Sequence, residues 1–246
     1  MSELQQLEKL FAEGKINRRR FIAQISALGL TAAVSPLLFS GSAMAATPKK
    51  GGRMIMGSTG GSTTDSMDPA TFTSNMNQNI NWQIRNNLVE IDHNFNPVPE
   101  LAESWSSTPD AKVWTFNLRK GIDFHNGKTM TSEDVIFSIN HHRGKESKSA
   151  AKAYLKNVKN IKAEGKYKVV FELTGGSADF PFILGDYHLS ICPLDTKGPE
   201  WEKGVGTGAY ILENWEPGVR SFAKRNPNYW KEGRAHFDEV ETLSIA

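Results

Sequence analysis

Cysteine is almost absent from this sequence of 246 residues. The single residue, Cys192, has no partner for an intramolecular disulfide, and there is no cysteine cluster to bind zinc or an iron–sulfur group. Strongly apolar runs are also scarce, and the mean hydropathy of −0.44 excludes a multi-span membrane protein. The remaining composition, 39% hydrophobic with 21 glycines, is typical of a globular chain that buries a core.

An excess of charge of one sign is missing as well. The chain has 29 Lys and Arg against 27 Asp and Glu, and the net charge of +2 comes from its first 45 residues. The rest of the chain is neutral overall. Nucleic acids and anionic membranes attract proteins through a concentrated positive field, so neither is expected as the main partner.

The strongest local signal lies in residues 17–46. A basic stretch, NRRRFI at 17–22, precedes a mildly apolar run that reaches residue 39, and small residues follow up to Ala45. This is the order of a signal peptide, and the adjacent arginines before Phe-Ile resemble the twin-arginine export signal. We expect cleavage after Ala45 and release into the periplasm of a bacterial cell. Ordinary secretion is the alternative route, whereas Pro36 disfavours an uncleaved membrane anchor.

Apolar spacing predicts the first elements of the mature chain. Residues 53–57 predict a short buried strand, and a loop rich in Gly, Ser and Thr follows at 58–65. A surface helix is predicted beyond this loop, with Trp82 outside its apolar stripe. The stripe consists of Ile80, Ile84 and Leu88.

Alternating and capping patterns predict a mixed α+β region in the middle of the chain. Residues 113–124 alternate between apolar and polar side chains, which indicates an antiparallel strand pair with one buried face. Thr131, followed three residues later by Asp134, predicts the start of a helix that runs to about Arg143. The other predicted elements are a helical turn at 100–105, a hairpin of 158–163 and 167–173, and strands at 210–212, 221–225 and 237–245.

Motifs for catalysis or metal binding fail on spacing. Residues 127–129 read GKT, as at the end of a phosphate loop, but Gly121 stands one residue too far upstream. No two of the six histidines are four residues apart, and no Gly-x-Ser-x-Gly elbow occurs. We therefore expect no enzyme activity, no cofactor and no metal. An exported hydrolase is the alternative.

Six motifs follow one another in a recognisable order. They are SMDP at 66–69, PVPELAESW at 97–105, WTFNLRKGIDFHNG at 114–127, TSEDV at 131–135, GTGAY at 206–210 and RNPNYW at 225–230. Together they resemble the bacterial extracellular solute-binding proteins of family 5, the peptide- and nickel-binding receptors of ABC importers. The resemblance covers about residues 51–246, although Ala209 stands where the family usually has proline.

The resemblance implies an α/β fold of the type II periplasmic-binding-protein kind, with two lobes around a cleft. After the signal peptide predicted at 1–45, it implies the core of the first lobe at 46–97 and 200–246 and an extra α+β subdomain at 98–199. Because family members are about twice as long, the second lobe is expected to be absent. Half a cleft should bind weakly, since closure supplies contacts on both sides of the ligand. A truncated fragment that cannot bind is a further alternative.

The resemblance also implies which residues face the cleft. The expected set lies after the first strand and around the glycine turn: Ser58, Thr59, Gly60, Met67, Asn75, Trp82, Gly206 and Thr207. For each of them the alternative is a residue without a binding role. It would be a solvated loop residue, a glycine required by close packing or, for Trp82, a core side chain. The implied function is capture of a small solute, expected to be a di- or oligopeptide, and delivery to a membrane permease. The full-length protein is expected to be a monomer.

Overall fold

The computed structural model describes residues 3–13, 15–16, 20–21, 23–24, 50–194 and 196–245. The chain divides into two compact units, Met1–Lys49 and Lys50–Ala246. In the first unit, helix α1 (Glu3–Ala12) packs Phe11 against the buried Phe21, with ring centroids 4.6 Å apart. The apolar segment from residue 25 onward and the predicted cleavage point after Ala45 lie outside the described residues. No helix in the described ranges is long and apolar enough to cross a membrane.

The second unit consists of two four-stranded sheets, a small hairpin and short helices. Its strands are β1 (Arg53–Ser58), β2 (Val89–Ile91), β3 (Pro97–Pro99), β4 (Ala102–Ser107), β5 (Val113–Leu118), β6 (Val158–Ala163), β7 (Lys168–Leu173), β8 (Tyr210–Glu216), β9 (Arg220–Arg225) and β10 (Glu239–Ser244). Its α-helices are α2 (Asn75–Ile84), α3 (Ser132–His141) and α4 (Phe180–Ile183). Short 3-10 helices occur at Pro69–Thr71, Ala150–Lys152, Tyr187–Leu189 and Gly198–Lys203.

The first sheet has the strand order β1-β10-β9-β8. Strand β1 pairs in parallel with β10, and the other pairs are antiparallel. Helix α2 lies on one face of this sheet. Its buried stripe of Met76, Ile80 and Ile84 packs with Met67 and against Leu212 and Trp215 of β8. This burial explains the helical spacing of the apolar residues.

Helix α2 is shorter than the sequence predicts. It begins after Ser74, whose hydroxyl accepts the Asn77 N–H at 3.2 Å, as an N-cap does. It ends at Ile84, so the predicted continuation of the stripe to Leu88 is wrong. Arg85 is extended, at φ −133° and ψ 164°, and the Ile84 carbonyl accepts the N–H of Gly208 instead of a helical N–H. Leu88 belongs to the core of the second sheet.

The second sheet has the order β4-β5-β7-β6 and carries the largest hydrophobic core of the described residues. Trp114, Phe116 and Leu118 alternate into this core, as the sequence predicts. Phe116 lies 5.5 Å from Phe171 and 6.3 Å from Phe180, measured between ring centroids. The predicted hairpin is confirmed as β6 and β7, and the predicted capping box of Thr131 and Asp134 starts α3.

The helical turn predicted at 100–105 is wrong. Residues 102–107 form strand β4, which pairs antiparallel with β5. Leu101 and Trp105 are four residues apart, which imitates a helical period, but both pack on the core of the second sheet. A bulge between Ala102 and Ser104 shifts the strand register and hides the alternation from the sequence.

Candidate ligand-binding site

The loop after β1 lies at the edge where two parallel strands end. Ser58 at the end of β1 is the register partner of Ser244 at the end of β10. The amide of Asn75 donates to Thr59 Oγ1 at 3.3 Å, and the amide of Asn79 donates to Ser58 Oγ at 3.0 Å. The start of α2 therefore fastens the loop. Four predicted site residues come together here: Ser58, Thr59, Gly60 and Asn75.

A glutamate and a histidine hold the far end of this loop. Glu202 accepts hydrogen bonds from Ser66 Oγ at 2.6 Å, from the Met67 N–H at 3.4 Å and from Trp215 Nε1 at 3.2 Å. Two residues further on, the side chain of Asp68 reaches His141. The loop between β1 and α2 is thus attached both to the first sheet and to helix α3.

The side chains of Asp68 and His141 lie within ion-pair distance, with Asp68 Oδ1 2.7 Å from His141 Nε2. Burial alone would raise the pKa of Asp68, but hydrogen bonds from His141 and from the Ala70 N–H lower it below its usual value. The His141 ring is 4.8 Å from that of Trp201, between centroids. The Asp68 carboxylate is therefore a fixed anchor of the loop and is not available to a ligand.

The tip of the loop is closed by the turn between β8 and β9. Gly218 has φ +72°, and a Cβ built on it would lie 2.4 Å from the carbonyl carbon of Ser62. Only glycine fits at this approach. Within the tip, the Ser62 N–H donates to Asp65 Oδ2 at 2.9 Å. These two contacts fix the backbone at the tip of the loop.

A groove of about 680 Å³ runs beside helix α2. This volume is in the range of small-molecule sites, roughly 300–1,000 Å³. Its apolar lining includes Met54, Met56, Trp82, Phe237 and Val240, and its polar lining includes Asn79, Gln83, Asn86, Tyr229 and Lys231. Trp82 is 53% exposed. Asn79 also bonds Ser58, so the groove and the loop share a residue.

Three side-chain atoms of the groove residues have no hydrogen-bond partner. Among the described residues, Gln83 Oε1, Arg85 Nη2 and His236 Nδ1 are buried without a hydrogen bond. All three residues line the groove. An unpaired buried polar atom costs free energy, so a ligand or solvent group that pairs with it would be stabilised.

Gly206 and Thr207 lie at the other end of α2. A Cβ on Gly206 would be 2.2 Å from the Ile84 carbonyl oxygen, so the glycine turn packs directly on the end of the helix. Thr207 is fully buried and donates to Asn86 Oδ1 at 3.1 Å. A helix of 10 residues is about 15 Å long, so this turn is remote from Asn75. The structure does not bring the eight predicted residues into one site.

The predicted residues differ in the surface that they offer. Thr59, Gly60, Asn75 and Trp82 are exposed. Ser58, Met67, Gly206 and Thr207 are buried. The four exposed residues can contact a solute directly. The four buried residues can act only by positioning the loop or the end of helix α2.

Asn86 was not among the predicted site residues, although its side chain hydrogen-bonds to residues of three sequence motifs. Its amide nitrogen donates to Glu100 Oε1 at 2.7 Å and to Tyr229 Oη at 3.3 Å. Its amide oxygen accepts from Thr207 Oγ1 and, at 3.3 Å, from Trp230 Nε1. The motifs that contain Glu100, Thr207 and Tyr229-Trp230 were visible in the sequence. Asn86 itself lies outside all of them.

Glu100 is the charged member of this network. Burial raises the pKa of its carboxyl, against the attraction of Lys231 and the hydrogen bond from the Asn87 N–H. Lys231 Nζ lies 3.1 Å from Glu100 Oε1 and 2.5 Å from Glu90 Oε2, and these carboxylates raise the pKa of Lys231 although burial opposes them. The network therefore ties the hairpin strand β2, the second sheet and the segment before β10 together.

The described part of the chain contains neither a metal-binding cluster nor a reactive cysteine. No group of three or more His, Cys, Asp or Glu side chains there could hold a metal ion. Cys192 is buried, and burial raises the pKa of its thiol, which disfavours the reactive thiolate.

Comparison with known proteins assigns the chain to a family. Residues 96–246 match the family described as bacterial extracellular solute-binding proteins, family 5 Middle. The chain belongs to family 5. It is 29% identical over 209 residues to the periplasmic oligopeptide-binding protein OppA of Haemophilus influenzae, covering 75% of this chain and 38% of that protein. It is 26% identical over 211 residues to the oligopeptide-binding protein AppA of Bacillus subtilis, covering 80% of this chain and 37% of that protein.

Solved structures of family 5 relatives have the same fold. The periplasmic binding protein DppA of Helicobacter pylori, in complex with the peptide STSA, superposes with a TM-score of 0.70 at 27% identity. The match covers 80% of this chain and 43% of that one. This confirms the predicted α/β fold of the type II periplasmic-binding-protein kind. The chain spans about 38% of the length of the curated relatives that it matches.

Proposed function

We propose that this chain belongs to the substrate-binding component of an ABC import system. In this proposal it captures a di- or oligopeptide in the periplasm and delivers it to a membrane permease. Membership of family 5 supports this, as do the names of the relatives, which are described as periplasmic or oligopeptide-binding proteins. We propose no catalytic step, because the family is described as solute-binding proteins.

The observation that carries the proposal is the fixed loop at residues 58–66. Its backbone is clamped by Glu202 and Gly218, and the exposed groups that it offers with Asn75 are uncharged. Such groups pair with a peptide main chain and are indifferent to its side chains. We propose Thr59, Gly60 and Asn75 as direct contacts and Trp82 as an aromatic flank. Ser58 and Met67 support these contacts from within the loop, and Gly206 and Thr207 act indirectly by packing the far end of helix α2.

The remaining assignments extend the same proposal. A signal peptide at 1–45, cleaved after Ala45, exports the protein. The first sheet draws its strands from 46–97 and 200–246, and the second sheet from 98–199, which supports a lobe core with an inserted subdomain at these boundaries. The full-length protein acts as a monomer and binds no nucleic acid.

Titration calorimetry with tetra-alanine tests the proposal. Binding at about millimolar affinity or tighter is expected, because the loop and the groove beside α2 offer several hydrogen-bonding groups and an apolar wall. Asn75→Ala should weaken it several-fold, whereas the exposed Asn94→Ala, the matched control, should not. Mass spectrometry should show the peptide intact. Absence of binding to any peptide, or cleavage of the peptide by the purified chain, would overturn the proposal in favour of a non-binding fragment or a hydrolase.

A further inference from the structure

The neutral overall charge hides a strongly basic segment. Residues 145–168 contain two acidic residues, Glu146 and Glu164, and a set of lysines. We call this set of lysines, which are exposed or half-exposed, the lysine face. Its members are Lys145, Lys148, Lys152, Lys156, Lys159, Lys162, Lys166 and Lys168. None of them lines the groove beside α2.

Five of these lysines are exposed and form no ion pair with any residue in the described ranges: Lys145, Lys148, Lys156, Lys159 and Lys166. Of these five, Lys166 makes a cation–π contact, with its Nζ 5.4 Å from the centroid of the Tyr167 ring. In the other three, Lys162 pairs with Glu172 at 2.8 Å, Lys168 pairs with Glu164 at 3.9 Å, and Lys152 Nζ donates to the Lys145 carbonyl at 2.7 Å.

The backbone beneath the lysine face is firmly held. Ala151 and Leu155 are buried in the core of the second sheet, and the buried Ser149 hydroxyl contacts His142 Nδ1 at 2.7 Å. Arg143, at the end of α3, donates from Nη2 to the Val158 carbonyl at 2.5 Å. These anchors turn the lysines outward, and they leave Tyr154 49% exposed among them.

Protection of a sheet edge does not account for this surface. Strand β6 is an edge strand, and lysines on such strands discourage pairing with other chains. Only Lys159 and Lys162 lie in β6, however. The other six precede or follow the strand, where no free edge needs protection.

We propose that the lysine face binds the surface of an anionic phospholipid bilayer. Lysines are mobile point charges, which suit a surface of many phosphates better than a partner that requires fixed, bidentate donors. The one arginine nearby, Arg143, is occupied by backbone carbonyls. The half-exposed Tyr154 adds an amphipathic ring of the kind found at membrane interfaces. For a receptor that serves a permease, such binding would keep the protein near its transporter, and this consequence rests on the proposed function.

Co-sedimentation of the full chain with vesicles tests the inference. The probes are vesicles of phosphatidylglycerol and phosphatidylcholine in equal parts, compared with vesicles of phosphatidylcholine alone. The difference between the two removes any salt-independent contribution of the apolar N-terminal segment. We expect binding to the anionic vesicles at about 20 mM NaCl that is largely lost at about 300 mM, because salt screens exposed charges.

Charge-matched variants locate the binding surface. Each lysine near the bilayer contributes about fivefold to partitioning, so K148E/K156E/K159E should reduce it by about 100-fold or more. The control K197E/K203E/K224E makes the same change in net charge on residues outside the segment and should change partitioning by less than about threefold. K148Q/K156Q/K159Q serves as a milder second variant, and thermal unfolding monitors the fold of all three.

Three results would overturn the inference. The first is equal binding to anionic and neutral vesicles. The second is an equal loss in both charge-reversal triples, which would assign binding to net charge alone. The third is absence of binding to the anionic vesicles at about 20 mM NaCl, and salt-dependent binding to polyglutamate or DNA would then assign the surface to an acidic protein or a nucleic acid.

Discussion

The side-chain amide of Asn86 donates to the buried carboxylate of Glu100 at 2.7 Å. Through this contact the segment that follows helix α2 is joined to the residues that lead into the second sheet. The same amide receives hydrogen bonds from Thr207 and Trp230. Residues of three of the sequence motifs thus meet in a buried network beyond the C-terminal end of helix α2.

Removal of Asn86 should therefore destabilise the chain. Asn86→Ala leaves the Glu100 carboxylate, the Thr207 hydroxyl and the Trp230 indole short of partners, at an expected cost of about 2–4 kcal/mol in the free energy of unfolding. Urea unfolding measures this. The exposed Asn94→Ala should cost less than about 0.5 kcal/mol. Similar losses for the two variants would show that the network is not a main fastening.

Stability should fall in acid because of His142. Burial, together with the fields of His141 and His188, lowers the pKa of His142 from 6.5 to about 3. The unfolded chain binds a proton at this residue near pH 6.5 and the folded chain does not, so the free energy of unfolding decreases as the pH falls from 6.5 towards 3. Between about pH 7 and about pH 5 the loss from this residue should be about 2 kcal/mol.

His142→Gln tests this pH dependence by urea unfolding across the same range. The variant should lose less stability on acidification than the wild type, whatever its stability at neutral pH. The matched variant His93→Gln, at an exposed position, should keep the wild-type slope. If the free energy of unfolding of His142→Gln depends on pH as it does in the wild type, a different group causes the loss of stability in acid.

The tip of the ligand loop should be sensitive to Gly218. Gly218→Ala brings a Cβ against the Ser62 backbone and places a side chain at φ +72°. We expect a loss of about 1–3 kcal/mol and faster amide hydrogen exchange at residues 58–66. Gly144→Ala is the control, because a Cβ there meets nothing within 4 Å. Equal exchange in the two variants would mean that the turn does not hold the loop.

Trp82 should matter more for binding than for stability. It is 53% exposed, so Trp82→Ala should change the free energy of unfolding by about 1 kcal/mol or less. Peptide affinity should fall about fivefold if the ring flanks the ligand. Phe95→Ala, at 81% exposure and outside the groove, should alter neither quantity. A core role for Trp82 would reverse this pattern, with a large stability loss and little effect on affinity.

Local patterns predicted the elements that local interactions determine. The hairpin β6–β7 and the Thr131–Asp134 cap follow from residues close together in sequence. Strand β4 was missed because its pairing with β5 and its bulge are tertiary features. Helix α2 ends early because the turn at Gly208 takes its last carbonyl, and that turn lies more than a hundred residues away.

The candidate site shows the same division between local and distant information. The resemblance indicated Ser58, Thr59, Gly60 and Asn75, and they lie together in the structure because a loop after a strand and the start of the next helix are neighbours in sequence. Asn86 could not be found in this way, since its partners lie 14, 121 and 144 residues away. Glycines 206 and 208 resemble a binding turn in sequence, and only the fold reveals that they pack against Ile84.

The location of peptide contact is the most direct test of the account. Tetra-alanine titrated into the isotopically labelled chain should shift the amide signals of residues 58–66 and 75–79 and the indole signal of Trp82, leaving those of 145–168 in place. Shifts confined to other parts of the chain, or no shifts up to saturating peptide, would contradict the assignment of this loop as a solute-binding surface.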